Sequence, residues 1–292
     1  MKKDIKYQLV LILFFTFLCA LVIFPFLMLV SISFSKESDI VTYGYSIFPK
    51  NFDLSAYKYV FNNPKSILNA YSVTVLYSVI ATVLGTLVMA MCAYPISRKN
   101  LRGKSGISFY LYFTMLFSGG LVPLYILNTQ YLHLNDKIWI YIIPTLVNPW
   151  YVFMMRTFFR DLPEEIFESL HVDGADEYRI FFGTVLALSK PVLATVALLT
   201  FLTKWNDWMT SMLYINNQNL ISLQYLLQRT LNNLKLIQEM STTGVGVGMS
   251  DDVPGETARM AMAIIVAGPA LFVFPFFQKY FVKGLTVGAV KG

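Results

Sequence analysis

The chain has 292 residues, 56% of them hydrophobic and 14% charged, against about 25% charged residues in an ordinary soluble domain, and its mean hydropathy of +0.56 points away from the same class. The net charge of +6 is dispersed over the ends of apolar runs. That pattern argues against a nucleic-acid surface and reads as an orientation signal in a membrane protein. Cys19 and Cys92 sit inside apolar runs with no Cys or His at ligand spacing, so they suggest neither a zinc site nor a disulfide framework.

A hydrocarbon core about 30 Å thick takes roughly 20 apolar residues in a helix, because no water is present there to satisfy an open backbone group. Six stretches qualify: Leu9–Val30, Ile67–Ile96, Ser105–Asn135, Ile138–Met155, Ile180–Thr203 and Met260–Phe277. The fifth is broken only by Lys190 and Pro191. The predicted fold is all-α and integral to the membrane: one transmembrane domain over residues 1–292. Its six transmembrane helices are expected near residues 9–33, 67–97, 105–130, 138–157, 180–206 and 258–281. The first run follows a basic flank, as a signal peptide would. It is too long for a signal h-region and no small-x-small site follows it, so a retained helix is expected.

Lysines and arginines flank the cytoplasmic ends of membrane helices. Lys2, Lys3 and Lys6 precede the first run. Arg98, Lys99, Arg102 and Lys104 join the second to the third. Arg156, Arg160 and Arg179 bracket the fourth-to-fifth connection, and Lys279, Lys283 and Lys291 follow the sixth. All four groups fall on one side of a six-span chain, which predicts a multi-pass protein with both termini cytoplasmic. On the outer side, residues 34–66 are rich in aromatics and proline and are expected to be partly ordered. Residues 207–256 form a longer polar loop, with an amphipathic helix predicted over Leu220–Leu236 and a flexible Gly/Ser-rich stretch over Thr242–Gly255.

Seven of the 17 acidic residues fall between Asp161 and Glu177, in the loop before the fifth run. Asp161 and Pro163 favour a helix start, and acids in the first turn suit the helix dipole. Ile166 and Leu170 share a face at i,i+4. Gly174 supplies the positive φ of a tight turn, and Asp176 is placed to cap a second helix. A short helix, a turn and another helix are therefore predicted at about residues 161–178, on the membrane surface. Composition alone leaves two readings open, a solvated acidic loop or a docking element for a soluble partner.

Glu168-Ser169-Leu170, then Asp173-Gly174-Ala175, with Pro191 sixteen residues further on, resembles the EAA motif of bacterial ABC importer permeases. The departures are Ser169 and Leu170, where small alanines are usual, and Ala187, where the family often has proline. The first bears on the fit to the partner; the second is expected to straighten the start of the fifth span. Ser118–Pro123, Met155–Phe159, Trp205–Trp208 and the tail from Gln278 extend the likeness over nearly the whole chain. It is to the MalG-type subunit of carbohydrate importers, on the branch that takes complex, uronate-type and plant-glycan oligosaccharides.

The resemblance implies an ATP-driven importer permease working by alternating access, with Glu168, Ser169, Leu170, Asp173, Gly174 and Ala175 as the element that couples it to an ATPase. It implies as partners a second homologous permease subunit, two cytoplasmic ATPase subunits, an extracellular or lipid-anchored sugar-binding protein and an oligosaccharide. ATP and Mg would be held in the ATPase subunits, not in this chain. The tail Gly284–Gly292 would reach between those subunits; the alternative is a frayed terminus. Trp205, Asn206, Asp207, Trp208 and Tyr214 offer aromatic faces and hydrogen-bonding groups for a sugar path. An interfacial aromatic belt explains the tryptophans equally well, and Asp207 is equally suited to meeting the external binding protein.

No P-loop, HExxH or nucleophile elbow is present, so no catalytic or metal residue is assigned. A secondary transporter of a small polar solute is the alternative. It needs charged residues at mid-membrane on broken, paired helices, and the first four runs and the sixth carry no charge and show no repeat. A membrane enzyme needs clustered His, Asp or Cys, whereas His133 and His171 are the only histidines and fall on opposite predicted sides.

Overall fold

The computed structural model describes residues 2–242 and 255–289, with side-chain surroundings for 7–236, 239, 255–271, 273 and 275. Its helices are α1 Lys2–Ser33, α2 Glu37–Tyr43, α3 Ser55–Val60, α4 Pro64–Ser97, α5 Lys104–Leu116, α6 Leu121–Ile126, α7 Pro149–Arg160 and α8 Glu164–Val172. They continue with α9 Glu177–Arg179, α10 Leu186–Leu188, α11 Lys190–Trp205, α12 Met209–Tyr214, α13 Leu223–Thr242 and α14 Glu256–Ala289. Among the described residues the sole extended pairing is a bridge between Ser35 and Phe52. The chain divides into two compact units, residues 1–67 with 226–268 and residues 68–225 with 269–292.

Burial is inverted relative to a soluble protein. Every side chain from Tyr7 to Leu27 of α1 is exposed, in a run that is almost wholly apolar. Monomeric soluble proteins rarely expose an apolar patch larger than a few hundred Å², whereas a helix in lipid satisfies its own backbone and can show apolar side chains all round. Two unbroken helices are long and apolar enough to cross a membrane, Tyr7–Ser33 and Pro64–Ser97. Three further candidates are bent pairs, which raises the number to as many as five among the described residues. The sixth apolar run, Met260–Phe277, lies on α14. Several of its side chains, the basic groups at both ends of the chain, the predicted flexible stretch within 243–254 and the tail after Ala289 fall outside the described residues.

Each bend has a local cause. Lys104–Leu116 meets Leu121–Tyr131 at 112°, across Ser118-Gly119-Gly120, where Gly120 has φ +87°, a conformation that glycine adopts without steric cost. Ile138–Thr145 meets Pro149–Arg160 at 51°; Pro149 opens α7 and the Asn148 side chain accepts from the Trp150 amide at 3.0 Å, a regular N-cap with proline in the first turn. Glu177–Leu188 meets Lys190–Trp205 at 80°. The expected straightening of the fifth span at Ala187 is therefore not found. Pro191 has no amide hydrogen to donate back to Ala187 and its ring crowds that carbonyl, so the helix stops at Leu188 and restarts at Lys190. A π-helical turn over Ile180–Val185 precedes the break.

In the first unit the segment expected to be partly ordered forms α2 and α3. Phe34 stacks on Phe52 and Tyr57, with ring centroids 5.4 and 5.0 Å apart. The Glu37 carboxylate accepts from the Glu256 and Thr257 amides at 2.9 and 3.0 Å and from the Thr257 hydroxyl at 2.5 Å, satisfying the first free N–H groups of α14. The amphipathic helix predicted over Leu220–Leu236 is α13, shifted towards its C-terminal side.

The second unit is built on a buried cluster that includes Met89, Ala93, Ile96, Val152, Met155, Phe159, Ile180, Phe181 and Val196, from α4, α7, the π-helical turn and α11. Phe167 of the surface helix α8 belongs to it and is 1% exposed. Gly85 lets the Leu146 carbonyl approach α4: a Cβ there would lie 3.3 Å from that oxygen. Phe167→Ala is expected to cost about 3–5 kcal/mol, the usual range for emptying a buried aromatic site. Substitution of the exposed neighbour Glu168 by Ala should stay within about 0.5 kcal/mol. Thermal unfolding of the detergent-solubilised protein checks both.

Candidate functional site

The acidic segment forms the predicted helix–turn–helix. α8 starts at Glu164 with Pro163 at its N-cap and no side-chain cap; Asp161, the expected start, instead ends α7. α8 closes in a Schellman turn. The Gly174 amide donates to the His171 carbonyl at 3.0 Å and the Ala175 amide to the Leu170 carbonyl at 2.9 Å, with Gly174 at φ +76°. That pair of bonds satisfies the last helix carbonyls, and the left-handed position between them favours glycine. Leu170 and Ala175 pack against the buried cluster on either side of the turn. As predicted, Asp176 then caps the next helix, accepting from the Arg179 amide at 2.8 Å.

The inner face of α8 is held by residues that sequence reasoning had used only as orientation markers. The Arg98 guanidinium lies 3.6 Å from the centre of the Phe167 ring, a cation–π contact that closes over the buried aromatic. Lys99 pairs with Glu164, and the Arg156 Nε donates to the Ile96 carbonyl at 3.2 Å. Tyr94 donates its hydroxyl to Glu177 Oε2 at 2.6 Å. Ile166 and Leu170, the pair that shares a face at i,i+4, are half-buried; Phe167 is the anchor.

The outer face is open. Glu168, Ser169, Asp173 and Gly174 are exposed. The Ser169 hydroxyl donates to the Ile166 carbonyl at 3.0 Å, while the Glu168 and Asp173 side chains have no hydrogen bond or ion pair with any described residue. A rigidly seated helix thus presents two unused carboxylates and a tight turn outward.

His171 connects α8 to the next helix. Its Nδ1 lies 2.6 Å from the Phe167 carbonyl and its Nε2 3.1 Å from Glu177 Oε1. Nδ1–H donates to the carbonyl; Nε2 can donate to the carboxylate only when the ring is protonated. The Phe167 carbonyl, and then Glu177, raise its pKa above the ordinary 6.5, with Arg98 opposing.

The residues proposed for a sugar path lie around the end of α11 and are not all brought together. Trp205 is buried, stacked on Phe201 at 5.7 Å and tilted against Tyr71 at 6.4 Å. Tyr214 is buried, stacked on Tyr125 at 5.4 Å, and its hydroxyl accepts from Asn128 at 3.2 Å. Asn206 is exposed and donates to the Leu202 carbonyl at 2.8 Å; Trp208 is half-buried. Asp207 accepts from the amide and hydroxyl of Thr210 at 3.0 and 2.6 Å. Of the five, Asp207 alone lines a cavity of about 600 Å³, together with Lys204, Thr145, Asn148, Thr200 and Thr203. Sequence reasoning missed Lys204, because the fifth apolar run was closed at Thr203; a cation three residues from Asp207 at the end of that run was the available signal.

Bent apolar helices, a cavity with mixed polar and apolar walls, and a surface helix seated in the core of those helices fit a membrane permease. No family model matches the chain. The chain is 36% identical to the protein LplC of Bacillus subtilis (strain 168) over 282 residues, covering 96% of this chain and 93% of that one. It is 35% identical to the polygalacturonan/rhamnogalacturonan transport system permease protein YtcP of the same organism, covering 96% of each. The solved structure of a bacterial ABC transporter involved in import of the acidic polysaccharide alginate superposes with a TM-score of 0.80 at 26% identity, over 96% of this chain and 98% of that chain. The chain belongs to the carbohydrate permease subunits of bacterial ABC importers, the family resembled by its EAA-like segment. It is therefore an integral membrane subunit and not an enzyme, and the secondary-transporter alternative is set aside.

Two outcomes follow for the turn. Gly174→Ala is expected to destabilise by about 1–2 kcal/mol from its left-handed backbone alone, since a Cβ there would meet nothing within 4 Å; Gly174→Asn should cost less, and thermal unfolding of the two variants compares them. Because the His171 pKa is raised on folding, its contribution is full below about pH 6.5 and fades as pH rises through the raised value. An NMR titration of His171 should give a midpoint above 6.5 that falls back in Glu177→Gln.

Proposed function

We propose that the chain forms one half of an oligosaccharide channel in the bacterial cell membrane, driven by alternating access, with both termini cytoplasmic. The other half is a second, homologous permease. Two cytoplasmic ATPase subunits bind ATP and Mg, and an extracellular or lipid-anchored binding protein delivers the sugar. The Lys/Arg distribution supports the orientation. The names of the similar proteins, polygalacturonan/rhamnogalacturonan and alginate transport among them, support a sugar cargo.

The observation that carries the coupling reading is the two-faced α8: Phe167 locked into the core of the spans, Glu168 and Asp173 unused on the outside. Glu168, Ser169, Leu170, Asp173, Gly174 and Ala175 are the coupling element. When the ATPase subunits close on ATP, a helix docked through its outer face is displaced as a body, and Phe167 carries the displacement into α4, α7 and α11. Such a transition moves between two packed arrangements.

Glu168→Arg reverses charge on the outer face and leaves the Phe167 socket intact. Gly174→Pro cannot adopt φ +76° and breaks the turn. Both variants are expected to insert in the membrane and to lose uptake by tenfold or more, with ATP hydrolysis no longer stimulated by binding protein and sugar. Measuring ATPase activity and uptake together in proteoliposomes of the full importer tests this. Normal coupled uptake in both variants would overturn the coupling assignment.

A further inference from the structure

Lys204 is 4% exposed, at the end of an α11 that is otherwise largely apolar. Its ammonium donates to the Tyr141 carbonyl at 2.6 Å and to the Thr145 hydroxyl. Both acceptors are neutral, and a lysine has three donors. No described carboxylate forms an ion pair with it; Asp207 is engaged by Thr210. A buried cation is costly even with the Asp207 carboxylate attracting it without direct contact, and an ionisable residue retained in a membrane segment marks a substrate path.

Lys204 does not stand alone. Thr200, Thr203 and Lys204 recur at i, i+3 and i+4 along one face of α11, and with Asp207, just past the end of the helix, they line the same cavity. Thr200 is 7% exposed, and its hydroxyl has no partner among the described residues. Asn148 and Thr145 line the same cavity, beside apolar residues such as Met115 and Val147. Its volume, about 600 Å³, falls within the usual range of small-molecule sites. Hydroxyl and amide groups suit a sugar's hydroxyls; the spare N–H of a cation suits a carboxylate.

We infer that Lys204 is a specificity-determining residue which receives the carboxylate of a uronic-acid unit, with Thr200, Thr203 and Asn148 meeting the hydroxyls of the same sugar. The inference rests on the proposed sugar cargo and names its chemical class. Asp207, three residues on and past the end of α11, accepts from hydroxyls and repels a carboxylate, so the acid group is directed to the Lys204 end. Sharing the ammonium with Tyr141 and Thr145 keeps the grip weak, as a transit site requires.

The competing role is a structural staple that ties α11 to Ile138–Thr145, and charge distinguishes the two. Lys204→Gln keeps a donor for those neutral acceptors and removes the charge; Lys204→Arg keeps the charge. The probes are trigalacturonate and its fully methyl-esterified form, taken up by proteoliposomes of the complete importer, each variant being compared with wild type on each sugar. The comparison cancels any preference of the binding protein. The glutamine variant is expected to lose trigalacturonate uptake tenfold or more while ester uptake stays within twofold, and the arginine variant to retain the acid. Equal losses on both sugars, or none on either, overturn the inference and leave Lys204 a staple. Should the glutamine variant fail to assemble, arginine decides: acid uptake kept relative to ester supports the inference, and acid uptake lost selectively overturns it. A wild type that carries neutral xylotriose but no trigalacturonate overturns the inference alone. One that carries no sugar while hydrolysing ATP overturns the sugar-importer reading with it.

Discussion

The seating of the surface helix α8 depends on one aromatic ring. Phe167 leaves a helix of nine residues and enters the core shared by α4, α7 and α11, with Arg98 closing over it. A helix that short does not persist alone in water; packing holds it. The surrounding polar contacts, Lys99 with Glu164, Tyr94 with Glu177 and His171 with both the Phe167 carbonyl and Glu177, fix the helix around that pin. Because the pin is buried and the contacts surround it, α8 cannot roll on the surface without disturbing the core. This is the property required of a part that passes movement from a soluble partner to membrane helices.

The far end of the same unit is organised by a different bond. Tyr77 and Tyr141 stack at 4.2 Å, the Tyr77 hydroxyl donates to the Lys204 carbonyl at 3.0 Å, and the Lys204 ammonium reaches the Tyr141 carbonyl. These hydroxyl, carbonyl and ammonium groups find their partners in one another, where no water is at hand to supply them. The bend at Ser189 lies between this lock and the Phe167 socket, so the two ends of α11 meet different neighbours. α11 is held by packing at its start and by hydrogen bonds at its finish.

The helix–turn–helix was legible because it rests on local chemistry. A left-handed turn selects glycine, and Gly174 occupies it; Asp176 sits one residue before a helix and caps it. The apolar runs were legible because lipid imposes a length. What escaped was direction. Ile166 and Leu170 have the right spacing for a buried face, but which residue enters the core is decided by α4 and α7, and they select Phe167. Pro191, Pro149 and the Gly119-Gly120 pair were visible as letters, yet hydropathy counts residues and carries no angle, so three bent pairs read as straight spans. Lys204 went unmarked because hydropathy closes the apolar run at Thr203; what turns it inward is a carbonyl 63 positions away in the chain.

The first helix follows another rule again. From Tyr7 to Leu27 it touches little, and its fixed points are close to its C-terminal end: the Ser31 hydroxyl donates to the Ser46 carbonyl at 2.9 Å, and Ser33 meets the Tyr57 hydroxyl at 3.0 Å. Lipid and protein are nearly equivalent surroundings for its apolar side chains, so no burial force dictates its angle. α1 is moored at one end like a boat on a short line. A thicker or thinner bilayer can swing it to match while the serine mooring, and the fold behind it, stay as they are.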